Sequence, residues 1–335
     1  MRIGIDTGGT FTDAALIDAA GCVLATAKSP TTHRNLIEGV SKALGLVLGV
    51  AEADLGVLRK DVTSVALSTT LATNAMVEGA GSGAALILVG FDDGAFSRVE
   101  GTGQADLVVR LGGGHDAQGR ELLPLDRDGL ARHLDQLAKV SAVAVAAMFA
   151  VRNDAHETLV RSLVGADPRT GAIPVTCSHE LSGRLHGPRR AATALANAVL
   201  TAPVRRLLVA FEESVRGAGI DAPLVVVRSD GSVMSLAHAM ERPVETILSG
   251  PAASLLGGIH LAGVADAVVI DIGGTTTDVA VVSNRIPEVV DDGATVGGVG
   301  TMIRSPRITT EGLGGDSHVA WDEQQNELQI GPGRV

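Results

Sequence analysis

The chain has 335 residues, 45% of them hydrophobic, and its 38 acidic against 27 basic side chains give a formal net charge of −11. That apolar content excludes a disordered chain, and the negative balance, with no dense run of Lys and Arg, argues against a nucleic-acid partner. Aromatic residues make up only 2%, with no tyrosine, so a base-stacking surface is excluded and the core must be built from Ala, Val, Leu and Ile.

The length allows two lobes with a cleft between them. Cys22 and Cys177 are too few for a disulfide framework and are expected as reduced thiols. The N-terminus enters a strand-like run at once, and no apolar stretch reads as the roughly 20 residues of a membrane helix. A soluble, cytoplasmic protein with no membrane partner is the expectation.

In chain order, the β-branched start runs into DTGGTFTD at residues 6–13, and a second copy, DIGGTTTD, occupies 271–278. Six of the eight positions are identical, and each copy lies between two apolar runs, so each reads as strand, tight turn, strand. The glycines let the turn approach a ligand closely, and the Thr hydroxyls and successive N–H groups suit a phosphate. An Asp closing the first strand adds a hard oxygen for Mg²⁺, usually through water. A lone Gly-Gly-Thr is most often only a turn; two near-identical copies, one per lobe, point to a shared anionic ligand. No GxxxxGK[ST], no GxGxxG after a strand and no GxSxG occurs, which removes a P-loop, a dinucleotide fold and a serine-hydrolase elbow.

After the first copy, Leu36, Val40, Leu44 and Leu48 give a helix. Residues 65–67 form a strand leading into Ser68, Thr69, Thr70, Thr73 and Asn74, either a helix N-cap or a ring of donors facing an anion. Residues 84–89 make a buried strand, 101–120 a glycine-rich loop or small hairpin, and 141–149 another apolar strand. Asp126 caps a helix, as does Asn153 or Asp154, with Glu157 placed as in a capping box. Residues 188–217 read as two helices or one kinked at Pro203, bridging the lobes. Then come a strand at 223–227, the polar turn RSDGSVMS, and LSGPAASLLGG, whose helix N-terminus also suits an anion.

RIGIDTGGTFTDAAL, STTLATNA, GRELLPLD, SHELSG, RRAATALANAVL, RSDGSVMS, LSGPAASLLGG and IDIGGTTTDVAVV, in that order, resemble the ATP-dependent hydantoinase/oxoprolinase family, over residues 1 to about 320. The resemblance implies an α/β fold of duplicated ribonuclease-H-like lobes, as in actin, sugar kinases and heat-shock chaperones, that clamps MgATP between two glycine hairpins. It implies residues 1–182 as the N-terminal lobe and 183–335 as bridging helices and the start of a second lobe, expected to be incomplete here because only 64 residues follow Asp271. The implied activity is phosphorylation and opening of a cyclic amide such as a hydantoin, 5-oxoproline or related lactam, beside a hydantoinase B-type partner subunit. The alternatives are an ATP-dependent ketone carboxylase subunit of the same superfamily and a non-catalytic, actin-like regulatory module.

In that family's terms, Asp6 and Asp271 are the catalytic carboxylates that hold Mg²⁺ through water. Gly8, Gly9, Thr10, Thr12, Gly273, Gly274, Thr275 and Thr276 cradle the ATP phosphates, while Asp13 and Asp278 stiffen their hairpins. Thr69, Thr70 and Asn74 are candidates for substrate or anion. Many members carry His-Gly-Thr-Thr where this chain has Leu67-Ser68-Thr69-Thr70, so no role for that His carries over. His179 and Glu180, with His186, are candidates for metal or substrate or simply a polar loop, since His179 and His186 match no usual helical ligand spacing. GLGGDS at 312–317 reads as a further turn near the site.

Overall fold

The computed structural model describes all residues except Gly9, 33–35, Thr275, 323–325 and Val335. The first repeat is the hairpin of β1 (Arg2–Thr7) and β2 (Phe11–Ile17), which continues antiparallel into β3 (Val23–Pro30). Helix α1 (Leu36–Leu55) returns across the sheet, burying Val40, Ala43, Leu44, Val47, Leu48 and Ala51 at the three- and four-residue spacing that puts them on one face. β4 (Ser64–Thr69) then pairs parallel to β1 and leads into α2 (Leu71–Glu78), which Gly79 ends in the left-handed conformation.

The chain next makes a separate sheet. β5 (Ala84–Val89), β6 (Leu107–Leu111), β7 (Ala142–Ala147) and β8 (Val175–Cys177) pair in parallel in the order β6-β5-β7-β8. Every residue of β5 and β7 is buried, as parallel strands covered on both faces require. Helices α3 (Arg127–Leu137) and α4 (Ala155–Ala166) cover one face. The glycine-rich stretch expected as a loop or small hairpin thus contains β6, and an antiparallel bridge joins His115 to Glu121.

The other face is covered by α5 (Gly187–Gly217), one continuous helix. Ala191, Ala194, Leu195 and Ala198 face the inserted sheet, while Ala192, Ala196, Leu200 and Val204 face the first sheet's core. Pro203 leaves the Val199 carbonyl without its intrahelical donor, and the Ser82 N–H takes it at 3.0 Å. By length and composition α5 is apolar enough to cross a membrane, contrary to the sequence reading, but 72% of its apolar window is buried.

β9 (Leu224–Val227) pairs parallel to β4, and β10 (Val233–Ser235) antiparallel to β9. The first sheet therefore runs β10-β9-β4-β1-β2-β3, the ribonuclease-H-like arrangement, with the second sheet inserted between β4 and β9. It crosses the division expected after residue 182, because β4 takes its neighbour from beyond that point. Helix α6 (Ser249–Ala262) leads to the second repeat, β11 (Ala267–Ile272) and β12 (Thr277–Ser283), with β13 (Ile308–Glu311) antiparallel to β12.

Candidate functional site

The two repeats fold alike. Asp6 faces Asp13 and Thr7 faces Thr12 across the first hairpin; Asp271 faces Asp278 and Ile272 faces Thr277 across the second. The Gly8 N–H donates to the Phe11 carbonyl at 2.9 Å, and the Gly273 N–H to the Thr276 carbonyl at 2.9 Å. Identical turn chemistry thus follows from the shared Gly-Gly-Thr. Their surroundings differ: Ile3 and Ile5 are 1% and 2% exposed, whereas Val268 and Ile270 of β11 are 61% and 57% exposed.

Asp6 is the electrostatic centre. Burial pushes its carboxyl above the usual carboxylate range against the opposing effect of the Ser68 hydroxyl, which donates to Oδ1; the charges of Asp13 and Asp271 add to the rise. Hard oxygens repelling one another at the sheet edge are the donor set a divalent cation neutralises, so these residues fit Mg²⁺. Lys28 lies 3.1 Å from Asp13, and the Thr310 hydroxyl donates to Asp278 at 2.6 Å, each bracing its own hairpin.

α6 closes on this edge from the other side of the chain. A Cβ on Gly250, in its first turn, would stand 3.3 Å from Thr70 Cγ2 and 3.8 Å from Asp6 Oδ1. Ser249 Oγ donates to the Thr69 carbonyl at 3.0 Å and accepts from the Thr69 N–H at 3.3 Å, and the Leu248 N–H donates to Thr73 Oγ1 at 2.9 Å. Leu248 has φ +58°, a left-handed turn that aims the helix at Asp6.

Thr69, Thr70 and Asn74, with Thr7 and Gly8, line a cavity of about 210 Å³. Thr70 donates to the Thr7 carbonyl from both its N–H and its hydroxyl, Leu71 N–H donates to Thr69 Oγ1, and Asn74 Nδ2 reaches Thr70 Oγ1 at 3.4 Å. The strand-to-helix junction and the first glycine turn are therefore one polar surface. Strand alternation sets Thr7 and Thr69 on the opposite sheet face from Asp6 and Ser68. Thr7 and Thr31 were missed in the sequence; the register of Thr7 with Thr69 across β1 and β4 is what brings Thr7 here.

Other expected residues fall elsewhere. Thr12 is buried, its Oγ1 3.0 Å from Thr31 Oγ1 and beneath Gly39 of α1, so it supports the turn from below. Gly9 and Thr275 lie outside the described residues. Thr10 receives the Thr31 N–H on its carbonyl. Gly273 and Gly274 accept the Gly315 and Asp316 N–H groups at 2.9 and 2.7 Å, so GLGGDS does pack on the second turn. Thr277 Oγ1 donates to the Leu313 carbonyl at 2.6 Å.

His179 and Glu180 are held in structural pairs. Glu157, expected in a capping box, is instead fully buried: Oε1 accepts from the Ala147 N–H and Ser178 Oγ, Oε2 from the His179 N–H and Nδ1 at 2.6 Å. Asp154 holds the N-cap position of that helix without a side-chain cap bond, and Asn153 Oδ1, just ahead of it, accepts from the Ala155 N–H. Glu157, Cys177 and His179 have donor atoms within 4.8 Å of one another, which suggests a metal. Yet both Glu157 oxygens are already taken by hydrogen-bond donors, and the Cys177 Sγ lies 3.6 Å from the Glu157 carbonyl, to which it donates. Glu180 pairs with Arg161, at 2.8 Å from NH1.

Family models describe the same chain. The hydantoinase/oxoprolinase N-terminal region matches residues 2–166 and the hydantoinase/oxoprolinase model residues 190–335. The chain belongs to the hydantoinase/oxoprolinase family. Among its members, the caprolactamase subunit alpha of Pseudomonas jessenii is 28% identical over 99% of this chain and 50% of its own length. An uncharacterised protein of Methanocaldococcus jannaschii is 24% identical over 99% of this chain and 52% of its own. The chain thus spans about half the length of these curated relatives.

The crystal structure of the ATP-dependent caprolactamase from Pseudomonas jessenii superposes with a TM-score of 0.82 at 25% identity, covering all of this chain and 51% of that one. Nucleotide-free acetone carboxylase gives 0.79 at 19% identity, with 100% and 51% coverage, which establishes a common fold.

Proposed function

We propose that this hydantoinase/oxoprolinase-family chain is the ATP-using subunit of a cyclic-amide hydrolase. The observation that carries the reading is the pair of hairpins with matching glycine turns, each closing on an Asp–Asp pair across its strands. Gly8, Gly9, Thr10, Gly273, Gly274, Thr275 and Thr276 would cradle the phosphates of ATP, and Asp6 and Asp271 would hold Mg²⁺ through water. The relatives' names support it: one is an ATP-dependent caprolactamase, another an ATP-dependent carboxylase.

The amide oxygen of the lactam attacks the γ-phosphorus as the bond to ADP breaks, leaving an O-phosphorylated imidate. Water adds to its carbon, the adduct collapses by breaking the ring C–N bond as the nitrogen takes a proton, and a second water hydrolyses the resulting acyl phosphate to the ring-opened amino acid and phosphate. Positioning and charge neutralisation supply most of such a transfer, which suits an edge made of backbone N–H groups, hydroxyls and carboxylates. A hydantoinase B-type partner subunit would complete the enzyme, as the name "subunit alpha" of the caprolactamase relative suggests.

The test is to mix the intact natural protein and its partner with MgATP and a panel of hydantoin, 5-oxoproline and simple lactams, measuring ADP and ring-opened product. Lactam-dependent ADP release is expected, and its absence across the panel rejects the reading. The likeness to acetone carboxylase supports a second reading, a ketone carboxylase subunit. Ketone-dependent ADP release with carboxylated product would select it.

A further inference from the structure

A cavity of about 230 Å³ shares no residue with the one at the first glycine turn. Three stretches far apart in the chain wall it. Arg98 and Glu100 follow the short helix Asp93–Phe96 between β5 and β6, and His186 and Arg189 belong to the start of α5. Thr295 and Gly300 come from the hairpin of Thr295–Val296 and Val299–Gly300, in the excursion between β12 and β13.

That hairpin is seated closely. Gly297 and Gly298 take φ +58° and +75°, as the central pair of a two-residue hairpin turn requires. A Cβ on Gly297 would stand 2.6 Å from the Met76 carbonyl oxygen, and one on Gly300 would stand 2.9 Å from Glu100 Oε2 and 3.2 Å from Arg189 Nε. The Gly300 N–H donates to Glu100 Oε2 at 2.5 Å. Glycine at 300 thus lets the main chain meet a carboxylate and a guanidinium together.

The charges in the wall do not balance. Arg98 Nε donates to the Gly94 carbonyl at 3.0 Å and Arg189 Nη2 to the Gly293 carbonyl at 3.2 Å, while Arg189 Nε is buried with no hydrogen-bond partner. Among the described residues, neither guanidinium forms an ion pair. Glu100 has one oxygen committed to the Gly300 N–H. His186 Nδ1 accepts from the Arg189 N–H at 3.1 Å, which leaves the imidazole proton on Nε2 as a further donor.

We propose that this cavity is an oxyanion site that takes inorganic phosphate, and that the bound ion ties the 295–300 hairpin to α5 and the inserted sheet. Guanidinium groups hold phosphate oxygens through charge-assisted hydrogen bonds. Donors from separate stretches suit a tetrahedral ion, which accepts in several directions, better than a planar carboxylate. The excursion runs on into β13, the partner of β12, so the ion braces the segment beside the second glycine turn. The proposal stands apart from the reading of the glycine turns themselves.

The test is isothermal titration of the intact natural protein with inorganic phosphate, without nucleotide, paired with hydrogen exchange of the 295–301 amides. Phosphate should bind and slow exchange there. Arg98→Gln, at an exposed position, and Arg189→Gln should each raise the Kd about tenfold. Glu100→Gln keeps an oxygen for the Gly300 N–H and removes the opposing charge, so it should lower the Kd. Phosphate held only at the glycine turns would bind all three variants as it binds wild type and leave exchange at 295–301 unchanged, which overturns the proposal. Absence of phosphate binding overturns it too. So does a loss confined to Arg189→Gln, because Arg189 also holds the Gly293 carbonyl and its removal can unseat the hairpin without any ion.

Discussion

Ser249 and Thr69, 180 residues apart in sequence, close a reciprocal pair in which the serine hydroxyl both donates to the threonine carbonyl and accepts from its N–H. Both residues are buried. Ser249→Ala leaves two buried main-chain groups unpaired and should cost about 1–2 kcal/mol in urea unfolding. Because the pair holds α6 against Asp6, ligand-dependent turnover should fall as well. Unchanged stability would contradict this role.

Asp6 opposes folding in its ionised form. Its folded-state pKa is raised, so ionisation as pH climbs through that value destabilises the native state. Asp6→Asn should therefore raise the melting temperature at neutral pH, while Mg-dependent turnover falls by about 100-fold or more. Calorimetry and an ADP assay on one preparation test both halves. A lower melting temperature would mean that the carboxylate is needed for the fold.

His179 supplies a second pH signature of the same sign, in which the charged form is the favoured one. Its hydrogen bond to buried Glu157 raises its pKa above the ordinary value, against a smaller effect of burial. The stabilisation is fully present below the unfolded value near 6.5 and is lost as pH rises through the folded value. Unfolding free energy measured from pH 6 to pH 9 should decline, and His179→Gln should flatten that decline while costing about 2 kcal/mol at pH 6. An unchanged profile in the variant would exclude the His179–Glu157 pair as its cause.

Pro203 gives a test at a single amide. Pro203→Ala restores an N–H that competes for the Val199 carbonyl, so the Ser82 amide loses its acceptor. Hydrogen exchange at Ser82 should accelerate about tenfold or more with little change elsewhere in α5. Unaltered protection would show that Ser82 keeps its bond.

The repeated octapeptide made the two hairpin turns legible in the sequence, because Gly-Gly-Thr between apolar runs dictates a turn locally. α1 was legible for the same reason, its stripe from Val40 to Ala51 being a property of adjacent turns. Partners chosen across the chain were not. Glu157 satisfies the spacing of a capping box, yet the end of β7 and the residues after β8 supply better donors. His179 and Glu180 read as ligands because their partners, Glu157 and Arg161, lie on a different element. The pairing of β4 with β9 likewise left no mark in either strand.

The inserted sheet has a kinetic consequence. β5 to β8 find all their partners within one continuous segment, whereas Leu67 must wait for Val226 before the first sheet closes. During synthesis the insert can mature while its host is still open, and α5, which serves both cores, then carries the late strand home. Pulse-labelled exchange should find β5 and β7 protected ahead of β9.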